Sequence, residues 1–227
     1  MKLEEIVPWG RTLAEYRSMF GLLERDLNSK ILGCGDGPAS FNAEMFELGH
    51  SVVSIDPIYQ FSSEQIEQRV RQAYEPIISQ VRQNPDRYRW TIFQDAEALG
   101  QARLKAMEKF LADYDSGTTA GRYVERSLPS LDFVDDQFEL CLCSHLLFLY
   151  SEQLSFEFHL ASIYELLRVA REVRIFPLLT LNCEPSAYLE FVLEDLSGQG
   201  YDVQVRSVDY EFQKGANQML KISRPLK

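Results

Sequence analysis

The sequence predicts an α/β fold: a doubly wound, mostly parallel seven-stranded sheet with an antiparallel C-terminal hairpin strand and a helical insertion after the second strand. Three observations lead to this prediction. Short apolar runs typical of buried strands alternate with segments whose apolar residues recur at helical spacing. A glycine-rich loop lies between the first strand and the following helix, as in a βαβ unit. The last two strands are joined by a link too short for a parallel crossover, which favours a hairpin.

The first quarter of the chain contains the βαβ unit. A leading helix follows a turn at Trp9-Gly10. The helix after the glycine loop begins near Pro38, because proline is tolerated in a first helical turn, and ends at Gly49, where a left-handed residue can follow a helix. The predicted elements are a helix over 12–27, a strand over 29–32, a helix over 38–49 and a strand over 51–55.

Residues 57–121 are too many for an ordinary crossover between two strands. Their apolar residues mark at least two amphipathic helices, the first of them interrupted at Pro76 and again at Asn84-Pro85. Long excursions between the elements of a compact domain are often functional. We therefore interpret 57–121 as a helical insertion that forms a lid over a site, with additional core as the alternative.

After the insertion, strands and helices alternate again until the closing hairpin, whose link contains Gly215. The whole of 1–227 is predicted to be one domain, and 1–28 is its N-terminal cap. The predicted strands of this half cover 123–126, 138–143, 172–176, 201–208 and 218–223, and the predicted helices cover 155–170 and 186–198.

The composition argues against several classes of protein. A formal net charge of −11 repels polyphosphate, so nucleic acid is an unlikely partner. No apolar stretch approaches the roughly 20 residues of a membrane span, and the first residues lack a signal-peptide pattern. We therefore expect a cytoplasmic protein with no membrane partner. The four cysteines lack zinc-ligand spacing, so no metal site is expected and the thiols should be buried and free.

The glycine loop lets backbone N–H groups approach a ligand at the N-terminus of a helix. A dinucleotide fingerprint, G-x-G-x-x-G, would need glycine at position 38, where this chain has Pro38. Proline removes a donor and fills the space that a pyrophosphate would approach. Asp56 closes the second strand about 20 residues beyond the loop, where a carboxylate can accept from both hydroxyls of a ribose. A plain Asp-Pro turn is the alternative for Asp56.

Three segments together resemble the S-adenosylmethionine-dependent methyltransferases with the class I, Rossmann-like fold. Residues 31–37 (ILGCGDG) are similar to the first motif of that family and 54–56 (SID) to the second. Residues 131–140 (LDFVDDQFEL) are similar to the run before the fourth strand. The likeness covers most of the chain, without the leading helix and the insertion.

The resemblance implies S-adenosylmethionine as the cofactor, bound at the carboxyl edge of the sheet. The residues that the resemblance and the loop chemistry assign to cofactor binding are Gly33, Cys34, Gly35, Asp36, Gly37, Asp56, Pro57, Ser127, Leu128, Cys143 and Ser144.

Two positions depart from the family's pattern. Members often have an acidic residue two places before the first glycine, where this chain has Ile31. They also often have an acidic residue near the end of the third strand, which accepts from the adenine amino group, and the matching residue here is Ser127. A serine hydroxyl can accept that hydrogen bond more weakly.

Catalysis is expected from the segment after the fourth strand, which in the family lies beside the methionine moiety and the acceptor. His145 is the candidate general base, and Tyr150 is a candidate for lining the acceptor pocket. The alternative for His145 is a packed histidine that donates to a neighbouring carbonyl. Before the first strand, Trp9, Arg11 and Tyr16 are candidates for closing over the cofactor, with Arg11 pairing with the methionine carboxylate.

The expected function is methyl transfer to a small molecule, since an acidic, compact chain with an aromatic-containing insertion suits an enclosed, partly apolar pocket. Protein methylation stays open as an acceptor class. A non-catalytic S-adenosylmethionine sensor or scaffold is the alternative, and Ile31 and Ser127 are its support. A nicotinamide-dependent oxidoreductase is disfavoured by Pro38. The sequence carries no signal of the oligomeric state.

Overall fold

A computed structural model describes residues 9–224 of the chain and contains the predicted seven-stranded sheet. The strand order is β3-β2-β1-β4-β5-β7-β6. The strands are β1 (Ile31–Cys34), β2 (Val52–Ile55), β3 (Tyr123–Val124), β4 (Phe138–Ser144), β5 (Ala170–Phe176), β6 (Asp202–Ser207) and β7 (Gln218–Ser223).

Strand direction changes once, at the last two strands of the chain. β1 to β5 run parallel to their neighbours, whereas β7 pairs antiparallel with both β5 and β6. Parallel strands place their carboxyl ends at one edge of the sheet, where ligands bind in open α/β folds. This order, with its antiparallel hairpin, confirms the fold class that the sequence and the family resemblance predicted.

Helices cover both faces of the sheet. One hydrophobic cluster packs the last two helices against the strands, and a second packs the helices before and after β1 on the opposite face. The helices are α1 (Leu13–Phe20), α2 (Glu24–Leu27), α3 (Phe41–Glu47), α4 (Ser63–Gln83), α5 (Ala96–Thr119), α6 (Phe156–Val169) and α7 (Leu189–Gly198). None of the helices between residues 9 and 224 combines the length and apolarity needed to cross a bilayer.

The leading segment differs from the single helix predicted over 12–27. Gly21 adopts φ 56° and donates from its backbone N–H to the Arg17 carbonyl, so it terminates α1 in the left-handed conformation typical of a helix C-terminus. The short α2 follows. The first eight residues of the predicted cap over 1–28 lie outside the described residues.

The helical insertion lies where it was predicted, between β2 and β3. α5 packs against α3 and β3, and α4 packs on α5. The predicted interruption at Pro76 is wrong, because α4 continues through that residue. Pro76 is exposed, while Ile77, Ile78 and Val81 are buried, so packing of this face outweighs the one backbone hydrogen bond that proline removes.

Candidate functional site

A cavity of about 740 Å³ opens at the carboxyl edge of the parallel strands. Its walls come from the loops after β1, β2, β3 and β4, from the helical insertion and from the link between β6 and β7. Its volume lies within the range of small-molecule sites. The lining residues of the glycine loop and of the ends of β2 and β3 are called here the cofactor end, and those of Trp9, Arg11, α4, α5 and the link between β6 and β7 are called the acceptor end.

The glycine loop leaves no room for larger residues. Gly35 and Gly37 adopt φ 70° and 53°, a left-handed conformation that glycine reaches without steric cost. A Cβ on Gly35 would lie 3.1 Å from Leu146 Cβ, and a Cβ on Gly33 would lie 1.9 Å from Asp36 Oδ2. The second distance shows that the Asp36 carboxylate folds back over β1.

Asp36 is buried and held by two side chains from other elements. Its Oδ1 accepts from the Tyr16 hydroxyl at 2.7 Å, and its Oδ2 accepts from the Ser54 hydroxyl at 2.6 Å. Burial raises the pKa of Asp36 from its ordinary value of 3.8 to about 7, against these two hydrogen bonds, which lower it. Asp36 lines the cavity at the cofactor end.

Asp56 lies on the opposite side of the glycine loop from β1. Its Oδ2 accepts from the backbone N–H of Gly37 and its Oδ1 from that of Ile58, each at 2.9 Å. Burial raises the pKa of the Asp56 carboxyl to about 6, although both backbone donors lower it. The cofactor end therefore presents two carboxyl groups, that of Asp36 within the glycine loop and that of Asp56 bound to the N–H of Gly37.

The two departures from the family's pattern have different structural outcomes. Ile31 begins β1 and is fully buried, in the cluster that packs α1 and α3 on the sheet. The carboxylate that overlies the first glycine is instead that of Asp36, five residues later in the chain. Ser127 and Leu128 line the cavity beyond the end of β3, so a hydroxyl is available at the predicted place.

Cys143 and Ser144 do not line the cavity, in contrast to their predicted place in the cofactor site. β4 extends to Ser144, one residue further than predicted, so both residues are paired with β5 and buried at 2% exposure or less. The cavity wall here is formed by the next residues, His145 and Leu146, and by Cys34 of β1.

His145 lines the cavity directly after β4. Its backbone adopts φ 53° and its N–H donates to the Phe176 carbonyl at 2.7 Å, so the loop fixes the position of the ring. The imidazole Nδ1 lies 3.0 Å from the Ser144 hydroxyl. Burial, with the positive charges of Arg11 and Arg103, lowers the pKa of His145 well below 6.5, so the ring is neutral near pH 7. Tyr150 is buried and also lines the cavity.

The acceptor end has apolar and aromatic walls that sequence reasoning did not assign. Tyr88 stacks on Phe212 with ring centroids 4.8 Å apart, and Trp9 packs near Tyr74 of α4. These rings come from three separate parts of the chain. The apolar side chains lining this end are Trp9, Ile77, Val81, Tyr88, Leu99, Leu181, Phe212 and Ala216.

A buried ion pair supports the acceptor end. Both terminal nitrogens of Arg103 donate to the Glu15 carboxylate at 2.6 Å, and the Tyr210 hydroxyl donates to the same carboxylate at 3.0 Å. Burial alone would raise the pKa of Glu15, but Arg103 beside it holds that pKa at about 2. This pair joins α1, α5 and the link before β7.

Arg11 lines the same end of the cavity without an anionic partner among the described residues. One terminal nitrogen donates to the Trp9 carbonyl at 3.0 Å, and the buried Nε has no hydrogen-bond partner there. Burial, and then the charge of Arg103, lowers the pKa of Arg11, which still leaves the guanidinium charged. Its charge is available to an anion inside the cavity.

Four free thiols are present, three of them buried as predicted. Cys183 is the exception, because it is half-buried and lines the cavity. Between residues 9 and 224 there is no cluster of three or more His, Cys, Asp or Glu side chains that could hold a metal ion.

Comparison with known proteins finds one archaeal relative of almost the same length. The uncharacterized protein MJ0045 of Methanocaldococcus jannaschii is 34% identical over 225 residues, which are 99% of each chain. The chain belongs to the family of MJ0045. No model of a known protein family matches the sequence.

Solved structures with a similar overall arrangement include two methyltransferases. A putative S-adenosyl-L-methionine-dependent methyltransferase from Methanococcus maripaludis has a TM-score of 0.49 and 9% identity, over 95% of this chain and 84% of that one. Magnesium protoporphyrin IX methyltransferase from Synechocystis PCC 6803, with bound SAM, has a TM-score of 0.45 and 13% identity, over 89% of this chain and 73% of that one. At such identities and TM-scores, the function has to be argued from the residues of this chain.

Proposed function

We propose that the protein binds S-adenosylmethionine at the cofactor end of the cavity and transfers its methyl group to a small molecule at the acceptor end. The observation that carries this proposal is a pair of carboxyl groups at a tight glycine loop: that of Asp36, buried within the loop, and that of Asp56, half-buried and bound to the N–H of Gly37. S-Adenosylmethionine carries an ammonium group and a ribose, and a carboxylate is a suitable partner for each of them.

The residues present fit this cofactor. Asp56 is held by two backbone donors and has lone pairs left to accept from ribose hydroxyls. Asp36, held by Tyr16 and Ser54, is suited to the methionine ammonium and takes the place of the acidic residue missing at Ile31. Beyond β3, the Ser127 hydroxyl can accept from the adenine amino group.

Two alternatives fit the site less well. A dinucleotide would bring its pyrophosphate against Pro38 and beside two carboxylates, which would repel it. A non-catalytic sensor needs only the cofactor end, whereas this cavity is also lined by apolar side chains of α4, α5 and the link between β6 and β7. These additional walls support an enzyme rather than a sensor.

Positioning is the main catalytic contribution expected of the protein. S-Adenosylmethionine supplies a methyl group on a positively charged sulfur, which is displaced in line by the acceptor atom. The chain's own residues hold the acceptor in that line and exclude water. His145, neutral and fixed in the cavity wall directly after β4, is the proposed general base for an acceptor that carries a proton.

A small molecule is the proposed acceptor class because the cavity has the volume of a small-molecule site and is lined by apolar side chains of α4 and α5. The net charge of −11 disfavours a polyanionic acceptor. Closure of residues 57–121 as a mobile lid stays a prediction, and the supporting observation is that this insertion lines the cavity.

The test of the cofactor proposal is calorimetric titration of the full chain with S-adenosylmethionine, S-adenosylhomocysteine and NADH. We expect micromolar binding of both sulfur nucleotides and none of NADH. Asp56→Ala should weaken S-adenosylmethionine binding about 100-fold, since two hydrogen bonds to a charged group contribute roughly 1.5–3 kcal/mol each and tenfold corresponds to about 1.4 kcal/mol.

The matched control is Asp209→Ala, which removes an exposed carboxylate that does not line the cavity. This variant should bind S-adenosylmethionine as the wild type does. Absence of sulfur-nucleotide binding by a folded wild-type protein, or equal loss in both variants, would refute the cofactor assignment.

A further inference from the structure

We propose that the methyl acceptor is a flat, apolar ring compound that presents an acidic oxygen, a phenolic or carboxylic one, to Arg11 and His145. The inference rests on the proposed function and adds the substrate class. It follows from three observations on the cavity: the aromatic side chains of its walls, the charge of Arg11 without a carboxylate partner among residues 9–224, and the imidazole of His145.

The walls favour a flat apolar body. Tyr88 and Phe212 stack with an interplanar angle of 16°, and Trp90 and Phe93 pack edge-on against Phe212 behind them. Ile77 of α4 and Leu99 of α5 belong to the hydrophobic cluster against which these rings pack, and both also line the cavity. Aromatic rings prefer to receive other rings in offset or edge-to-face contact, so a ring compound gains contacts here that a sugar or a short polar chain would not.

The charge of this end favours an anionic oxygen. Arg103 is neutralised by Glu15, whereas Arg11 has no carboxylate partner within residues 9–224 and keeps a buried Nε without a hydrogen bond. A buried guanidinium in an apolar wall is stabilised by an anion that reaches it. The Arg11 guanidinium donates to the Trp9 carbonyl, and the Trp9 ring packs against the hydrophobic cluster of the insertion, while the Arg11 carbonyl accepts from Ser40 after the glycine loop.

The same charge disfavours a nitrogen acceptor. Methylation of an amine leaves a positive charge on the product nitrogen, close to Arg11. Methylation of an anionic oxygen instead removes both the negative charge of the acceptor and the positive charge of the sulfonium. The unpaired charge of Arg11 therefore favours oxygen over nitrogen.

The imidazole of His145 suits the phenolic case. Its Nδ1 is engaged with the Ser144 hydroxyl, and its Nε2 has no hydrogen-bond partner among the described residues. For a phenol, the O–H proton passes to Nε2, the oxygen forms the new O–C bond, and the C–S bond breaks with its electron pair left on sulfur. A carboxylic acid has already lost its proton to water and needs no base.

The test uses four naphthalene compounds of one size as probes, with S-adenosylmethionine labelled in its methyl group. We expect label in 2-naphthol, 2-naphthoate or both, and none in 2-naphthylamine or naphthalene. S-Adenosylhomocysteine binding is measured by calorimetry on the same preparation, so loss of the cofactor site is seen separately from loss of acceptor specificity.

Arg11→Gln separates the acceptor assignment from a role in holding the methionine carboxylate. We expect it to raise the KM for the naphthyl acceptor at least about tenfold, the loss of one charged hydrogen bond, and to change the Kd for S-adenosylmethionine less than twofold. Arg25→Gln, at an exposed arginine, is the matched control and should change neither constant. His145→Gln should abolish transfer to 2-naphthol and spare transfer to 2-naphthoate.

Three results would overturn the inference while leaving the cofactor proposal intact. The first is methylation of 2-naphthylamine at a rate equal to that of the oxygen acceptors. The second is that no naphthyl compound becomes labelled by protein that binds S-adenosylhomocysteine. The third is that Arg11→Gln binds S-adenosylmethionine more weakly while its KM for the acceptor is unchanged. Absence of sulfur-nucleotide binding would instead refute the proposed function itself.

Discussion

The two ends of the cavity are built in different ways. The cofactor end consists of short loops directly after β1 and β2, and its carboxylates Asp36 and Asp56 lie 20 residues apart in the sequence. The acceptor end joins α1, the insertion and the link before β7, and its Tyr210–Glu15 hydrogen bond spans 195 residues. The first end depends on backbone geometry and the second on tertiary packing.

This difference predicts how each end responds to substitution. Changes at the cofactor end should alter ligand binding more than stability, because the loop backbone is set by glycines and by the sheet, and the buried Asp36 carboxyl is the exception through its raised pKa. Changes at the acceptor end should alter stability first, since buried side chains there hold separate segments together.

The largest effect is expected from breaking the buried ion pair. Glu15→Gln leaves the Arg103 guanidinium, which is 1% exposed, without its counter-charge. The free energy of unfolding should fall by about 3–5 kcal/mol, as measured by chemical denaturation. Glu97→Gln, which breaks an exposed pair with Arg82, is the matched control and should cost less than about 1 kcal/mol. Similar losses in both variants would mean that the buried pair does not hold the acceptor end together.

A smaller effect is expected from Asp36→Asn. Removal of this carboxylate should weaken S-adenosylmethionine binding about tenfold, through loss of a charged hydrogen bond to the ammonium. Because burial raises the pKa of Asp36 to about 7, the wild-type affinity should increase from pH 6 to pH 8 as the carboxyl ionises. Calorimetry at both pH values should show a flatter dependence in Asp36→Asn, and identical slopes would contradict the assignment.

The same raised pKa has an opposite consequence for stability. The folded chain holds the Asp36 proton more tightly than the unfolded chain, whose pKa is near 3.8. The stability from this site is therefore complete below about pH 3.8 and is lost as the pH rises through about 7. Relative to Asp36→Asn, the wild type should be more stable at pH 5 than at pH 8 in denaturation experiments on the ligand-free protein. An unchanged difference would show that Asp36 is ionised at both pH values.

The smallest effect is expected from Tyr210→Phe. This variant removes one hydroxyl that donates to Glu15 and leaves the ring in place. The free energy of unfolding should fall by about 1 kcal/mol, as for one buried hydrogen bond, and Kd for S-adenosylmethionine should not change. A loss of cofactor affinity in this variant would show that the two ends are coupled rather than separate.

Local chemistry explains which features the sequence predicted. The seven strands, the hairpin and the glycine loop follow from apolar runs and from turn residues that act within a few positions. Two predictions were wrong: that the leading helix is continuous over 12–27, and that the first helix of the insertion is interrupted at Pro76. In each case tertiary packing decides whether the helix-ending tendency of a glycine or a proline takes effect. The site residues at the ends of β1 and β2 are predictable for the same reason as the strands.

Contacts between distant segments explain the features of the site that the sequence did not predict. The inward orientation of Asp36 depends on Tyr16 and Ser54, which are 20 and 18 residues away, and no periodic pattern encodes that meeting. Arg103 lies 88 residues from Glu15 and is one of several arginines in the sequence, so its burial could not be identified from composition or spacing. The residues of the acceptor end that sequence reasoning missed are likewise brought together by contacts between distant segments.

The order in which the cavity is completed follows from the positions of its parts along the chain. During synthesis, the glycine loop and Asp56 leave the ribosome with the first 60 or so residues, whereas Tyr210 and Phe212 belong to the last 20. The N-terminal α1 must wait for both α5 and the final hairpin before Glu15 can be covered. The residues of the glycine loop are therefore synthesised long before those that complete the acceptor end, and the same last segment also supplies β7, which lies between β5 and β6 in the sheet.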